Sequence, residues 1–142
     1  MRIEGSPMGN YSVEEYLKIT LKPYVLFHPK FFEDFSDLVS RGKDSAEVCK
    51  KILEKIFAIK NLGDIKCGVK WLEELKYEDN MYSLHIKSKT YNYRILLSVT
   101  DDKKIFLHMF YERDGKRSTG YGPHIQIAKK RKEEYGGNIN EQ

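Results

Sequence analysis

His85, Lys87, Arg94, Arg113 and Lys116 are the residues of this sequence whose types and spacing suggest chemistry. His85, Lys87 and Lys89 alternate at spacing two, so a regular strand would present all three on one face. Arg94 interrupts the apolar run Tyr93-Arg94-Ile95-Leu96-Leu97-Ser98-Val99. A cation inside such a strand is costly unless it is paired or opens into a cleft. Two readings of Arg94 follow: an ion pair with an acidic residue from the early chain, or a contact to a phosphate. His108, within Phe106-Leu107-His108-Met109-Phe110, reads as a hydrogen-bonded core histidine or a catalytic one. Arg113, Lys116 and Arg117 follow in a glycine-containing loop. Cations gathered in this way suit an anionic substrate.

Spacing excludes several other chemistries. Gly115-Lys116-Arg117-Ser118 lacks the second glycine of a phosphate loop, because Phe110 stands there, and Arg117 takes the place of the required Ser/Thr. His28, His85, His108 and His124 are too far apart in sequence for a compact metal motif, and neither HExxH nor GxSxG occurs. No metal or other cofactor is expected. The carboxylates fall mainly in the first 80 residues, which argues against an acid-lined magnesium site.

The charge distribution points the same way. The net charge of +4 hides an asymmetry: residues 87–132 carry 12 Lys/Arg against 4 Asp/Glu, a net +8, and the rest carries 13 against 17. Clustered cations attract polyanions, although a solvated lysine-rich surface would look alike. With 142 residues, 40% of them hydrophobic, the chain can bury one core. No apolar run is long enough for a membrane helix. Met1–Pro7 has no apolar stretch of the secretory kind, and Cys49 and Cys67 form no CxxC. The expectation is a reduced, cytoplasmic protein with free thiols.

The elements that must position these residues are legible from periodicity. Ser12-Val13-Glu14-Glu15 fits a capping box, which predicts a short helix over 12–19 ended by Pro23. Tyr24–Phe27 reads as a strand, and His28-Pro29 opens a helix whose Phe31, Phe32, Phe35, Leu38 and Val39 share one face. Arg41-Gly42-Lys43 breaks it. Asp44 caps a second helix, which Asn61-Leu62-Gly63 stops. The period then changes from 3.6 to 2. Met81–Lys87, Tyr93–Thr100 and Ile105–Tyr111 read as strands, with Asp101-Asp102-Lys103 as a hairpin turn. Cys67–Leu75 fits either a strand or a short helix. A loop over Glu112–Gly122 leads to a last helix opened by Pro123, bearing a Lys129-Lys130-Arg131-Lys132 face and ended by Gly136-Gly137. The fold class is α+β: a small, mostly antiparallel sheet of about four strands, packed by an N-terminal helical hairpin and a C-terminal helix. Residues 1–20 form an extension, 21–136 a single domain and 137–142 a tail. Met8-Gly9 is a candidate native start, with Met1–Pro7 left by cloning.

The run Tyr93–Val99, the Asp-Asp turn, Ile105–Phe110 and the basic loop before Pro123, Ile127, Ala128 and Lys129 resemble the RelE/HigB superfamily of toxins from toxin–antitoxin systems. The resemblance covers roughly 24–135 and implies a RelE-like fold. It implies a metal-independent endoribonuclease that cleaves messenger RNA, free or on the ribosome, by attack of the RNA's own 2′-hydroxyl. Growth and translation would stop, and a cognate antitoxin protein would be the partner. Arg94 matches the family's arginine at the scissile phosphate. Lys87 matches a general base, His85 a neighbouring cation, and Arg113 and Lys116 the charge-stabilising cluster. A lysine is a base at neutral pH only where nearby cations favour its neutral form. The RNA-binding set would add Lys89, Arg117, Tyr121, Lys129 and Lys130. Glu112 departs from the pattern, standing where related chains have a lysine, and the loop over 114–122 is longer than usual. The alternatives are a toxin of this fold that binds a protein target such as gyrase, and an unrelated RNA-binding domain.

Overall fold

A computed structural model describes Glu15, residues 25–41, 44–61, 69–75, Glu78, 80–100, 103–112 and 117–139. The elements are β1 (Val25–Phe27), α1 (Pro29–Arg41), α2 (Ser45–Asn61), β2 (Leu72–Glu74), β3 (Met81–Lys87), β4 (Asn92–Thr100), β5 (Lys103–Tyr111) and α3 (Arg117–Ile139). They form a mixed α+β fold with a five-stranded sheet ordered β1-β5-β4-β3-β2. β2 to β5 pair antiparallel, and β1 joins β5 in parallel after the two-helix crossover.

Local chemistry explains most boundaries. His28 caps α1: its carbonyl accepts from Phe31 N–H and its Nδ1 from Lys30 N–H at 3.0 Å. Pro29 follows in the first turn, where its missing N–H costs nothing. The Asp44 carbonyl accepts from Val48 N–H as α2 begins. Ser88 N–H bonds to the Tyr91 carbonyl across the tight β3–β4 turn. Asn80 takes a left-handed conformation (φ 60°) just before β3, a conformation that asparagine tolerates better than most residues.

Strand alternation sorts the sheet into two faces. Tyr82, Leu84, Ile86, Tyr93, Ile95, Leu97, Phe106 and Met109 face α1 and α2 in the larger core cluster. Met81, Leu96, Ile105, Leu107 and Phe110 face α3, with Ala128 and Tyr135. A β-bulge shifts the register: Leu96 opposes His108 but Leu97 opposes Phe106, leaving Leu107 as the extra residue.

The sheet of about four strands gains Leu72–Glu74 as a three-residue edge strand, the strand alternative of the two left open for 67–75. Three expectations require correction. Lys89 lies in the β3–β4 turn, beyond the end of β3 at Lys87, so it does not share the strand face of His85. The last helix starts at Arg117, and Pro123 lies inside it. A proline removes one helical hydrogen bond but can stay where neighbouring turns hold. The helix also runs through Gly136-Gly137 to Ile139, since glycine weakens a helix without forbidding it. Of the helix expected over 12–19, only Glu15 is described, and it is helical. The Asp101-Asp102 turn, Cys67, Arg113 and Lys116 lie outside the described residues. No described helix is long and apolar enough to cross a membrane.

Candidate functional site

The α3 face of the sheet carries polar residues of β3 and β4 among its apolar ones. Arg94 opposes His85 in register on one side and Phe110 on the other. Its residue exposure is only 7%. Nε donates to both Glu112 carboxylate oxygens at 3.2 Å, and Nη1 to Ser83 Oγ at 3.4 Å. Glu73 lies 3.8 Å from Nη1. Arg94 is therefore a buried, carboxylate-paired guanidinium. Among the described residues its carboxylate partners are Glu112, just past β5, and, at longer range, Glu73 of β2, an acid of the earlier chain. Glu112 stood out in sequence only as a departure from a pattern; its role follows from strand register, which brings the end of β5 beside Arg94.

His85 sits in the same cluster. Asn92 Nδ2 donates to the Glu112 carbonyl at 2.9 Å, which turns its Oδ1 toward His85 Nε2. The amide's orientation thus makes Nε2–H the donor, and the neutral ring keeps its lone pair on Nδ1. The His85 side chain is 25% exposed, so the ring is only partly covered. Glu112 Oε1 stands 3.9 Å from Nε2. An imidazole of fixed tautomer next to a rigid guanidinium can move a proton beside a bound anion.

The remaining predicted residues divide. Lys87 is exposed at the end of β3, opposite Asn92. Lys89 and Lys130 are exposed, and Lys129 pairs with Glu78 at 3.3 Å. Arg117 and Tyr121 fall within α3. The run 129–132 is not one basic face, since successive helical residues turn by about 100°. Arg131 points inward, where Nη1 bonds to Asp34 Oδ2 and, at 3.0 Å, to the Leu107 carbonyl. Among the described residues no group of three or more His, Cys, Asp or Glu could hold a metal ion.

A second polar array lies at the β5 edge. β1 ends at Phe27, opposite Phe106, so the Leu107 carbonyl of the bulge is left to Arg131. His108 Nδ1 meets Asp34 Oδ2 at 2.9 Å, and its Nε2 meets His124 Nδ1 at 2.8 Å. The His124 ring stacks on Phe110 at 3.9 Å and 4°. Burial raises the Asp34 pKa, but hydrogen bonds from His108 and Arg131 outweigh it and hold the carboxyl below its ordinary value. Burial, then the neighbouring His108, lowers the His124 pKa. Burial and Arg131 lower that of His28, against the pull of Glu134. Both ring nitrogens of His108 are thus engaged within a buried array. Its partners lie 74 and 16 residues away, distances at which spacing carries no signal. Cys49 is free and buried, and burial pushes its thiol up to about 12, which keeps it unreactive.

No family model matches the sequence, and no curated protein matches it. Among solved structures, the chain is similar to one from the crystal structure of the RelB-RelE antitoxin-toxin complex from Methanococcus jannaschii, with a TM-score of 0.46. The two are 21% identical, over 61% of this chain and 88% of that one.

Proposed function

We propose that this chain is a toxin of the RelE/HigB type, an endoribonuclease that cleaves messenger RNA without a metal ion and is restrained by an antitoxin. The observation that supports this best is the pairing of His85 and Arg94 in register, with the imidazole tautomer set by Asn92. An RNA phosphate approaching Arg94 would displace Glu73, whose side chain is 42% exposed, while Glu112 keeps the guanidinium oriented. His85 Nδ1 would take the proton of the attacking 2′-hydroxyl, the oxygen would close on the adjacent phosphorus to form the P–O2′ bond, and the P–O5′ bond would break as the 5′-oxygen leaves with a proton taken from water. Arg94 would stabilise the charge that develops on the phosphoryl oxygens. Lys87, and Arg113 and Lys116 beyond Glu112, would supply further positive charge. Lys89, Arg117, Tyr121, Lys129 and Lys130 would hold flanking RNA.

A second reading has an observation of its own. Arg94 already has a carboxylate partner, and a toxin of this fold that binds a protein target needs no open phosphate site. Inducible expression in bacteria, with primer extension on an abundant transcript, separates the two. The nuclease reading expects growth arrest with new discrete 5′ ends, both lost in His85→Ala and Arg94→Lys at equal soluble level. Arrest with intact transcripts would favour the protein-target reading. No arrest at a confirmed soluble level would overturn both.

A further inference from the structure

Beside the candidate site, on the outer edge of β3, lies a cavity of about 370 Å³. Pockets of about 300–1,000 Å³ hold small molecules. Lys51, Lys55 and Glu54 of α2, Lys70 and Trp71 ahead of β2, and Lys87 of β3 line it, and His85 joins it to the cluster around Arg94. Four ammonium groups therefore face a single carboxylate. Lys51 reaches Glu47 at 3.8 Å, but Lys70 and Lys87 have no ion-pair partner among the described residues. The Lys55 ammonium rests over the Trp71 ring at 4.5 Å, and both side chains line the cavity.

We propose that this cavity is a nucleotide subsite: the base of a single-stranded nucleic acid stacks on Trp71, and its phosphate takes the charge of Lys55, Lys70 and Lys87. Like charges that outnumber their counter-charges repel, and a bound phosphate relieves that repulsion. A planar base replaces the Lys55 ammonium on the indole face and frees it for the phosphate. Stacking on an aromatic ring is open to every base, so the subsite holds strand without reading sequence. An acidic peptide would satisfy the lysines but would leave the indole without a planar partner. The shared His85 and Lys87 make the subsite the flank of the cleavage site. That placement, but not nucleotide binding itself, rests on the ribonuclease reading.

Trp71 is the chain's one tryptophan, so its fluorescence reports on this cavity alone. The probe is a fully 2′-deoxy hexanucleotide, which has no 2′-hydroxyl and cannot be cleaved by that route. Saturable quenching of the indole is expected, weakened at least tenfold in Lys55→Glu/Lys70→Glu. Lys30→Glu, in α1 near the opposite edge of the sheet, should leave it unchanged. An abasic hexamer should bind more weakly and quench little. Absence of quenching, quenching indifferent to Lys55→Glu/Lys70→Glu, or equal binding of a polyglutamate hexamer would overturn the subsite; the last would make it a peptide site. Quenching without any RNA cleavage would uphold the subsite and remove only the ribonuclease reading, and cleavage without quenching would do the reverse.

Discussion

The two faces of the sheet are built from the same strands but to different rules. Among the described residues, 21 buried apolar ones form one cluster toward α1 and α2. Toward α3, eight of the described residues do, and the same face also buries Ser83, Asn92, Arg94, Ser98 and His108. β4 shows the contrast in a single strand: Tyr93, Ile95 and Leu97 face the thick core, while Asn92, Arg94 and Ser98 point the other way. Stability is concentrated on one side, which leaves the other able to carry desolvated polar groups. The cleavage chemistry proposed for this chain lies on the thin side, and the proposed nucleotide subsite reaches from it around the edge of β3 to α2.

The largest effect expected of this division is on the thick face. Phe106 is fully buried among Phe27 and Phe31, with ring centroids at 5.3 and 5.8 Å. Phe106→Ala should cost about 4 kcal/mol in urea unfolding, the scale of a large aromatic truncation that leaves a cavity. Phe110→Ala on the thin face should cost less, because Phe110 packs against His124, which is only half-buried. Equal losses would mean that the two faces share the burden and the contrast fails.

Next in size is the buried ion pair. Arg94→Met leaves the Glu112 carboxylate, with a side-chain exposure of 11%, without its main counter-charge. Orphaning one member of a buried pair costs about 3 kcal/mol or more, whereas an apolar replacement of both is close to neutral. Arg94→Met/Glu112→Leu should therefore recover most of the stability lost in Arg94→Met. Urea midpoints of the two variants check this. A loss under about 1 kcal/mol in Arg94→Met would show that the pair behaves as a solvated surface contact.

How much of this was legible in the sequence follows the same division. The thick face is written in local periods: Phe31, Phe32, Phe35 and Val39 at helical spacing, and Tyr93, Ile95 and Leu97 at spacing two. Its elements stand close to the expected boundaries. The polar residues break those periods, so Arg94 and His108 could be singled out, but not their partners. Arg94–Glu112 depends on strand register, and Asp34–His108 and Asp34–Arg131 on how α1 and α3 meet around the β5 edge. The bulge at Leu107 is invisible to alternation counting, yet it frees the carbonyl that Arg131 takes. A three-residue strand such as β2 shows no period at all.

The pH dependence tests the histidine array. His124 and His28 have native pKa values below the ordinary 6.5, for His124 through burial and His108, for His28 through burial and Arg131. The unfolded chain therefore binds these protons first as pH falls. Their contribution is full above pH 6.5 and is lost on descending through the native values. Asp34 acts in a separate window, below its ordinary 3.8, because its native value is also lowered. Thermal melts from pH 7.5 to 5 should show a falling Tm, and His124→Phe should flatten that slope in part, leaving the share of His28. An unchanged slope in His124→Phe would mean that the His108–His124 contact does not hold the ring neutral.

The smallest effect comes from a single oxygen on the thin face. Ser98 Oγ is buried with no hydrogen-bond partner among the described residues, and Ser98 lies in register between Met81 and Ile105. A buried hydroxyl without a partner carries its desolvation cost uncompensated, about 1–3 kcal/mol when complete. Ser98→Ala removes the oxygen and almost no volume, so stability should stay level or rise by up to about 1 kcal/mol. The same substitution at Ser83, which accepts from Arg94 Nη1, should lower stability instead. A destabilising Ser98→Ala would mean that the hydroxyl has a partner in solution, such as a bound water, and that this face tolerates polar groups by satisfying each of them. A stabilising one would mean that the surplus of the thick core carries an unsatisfied group across the sheet.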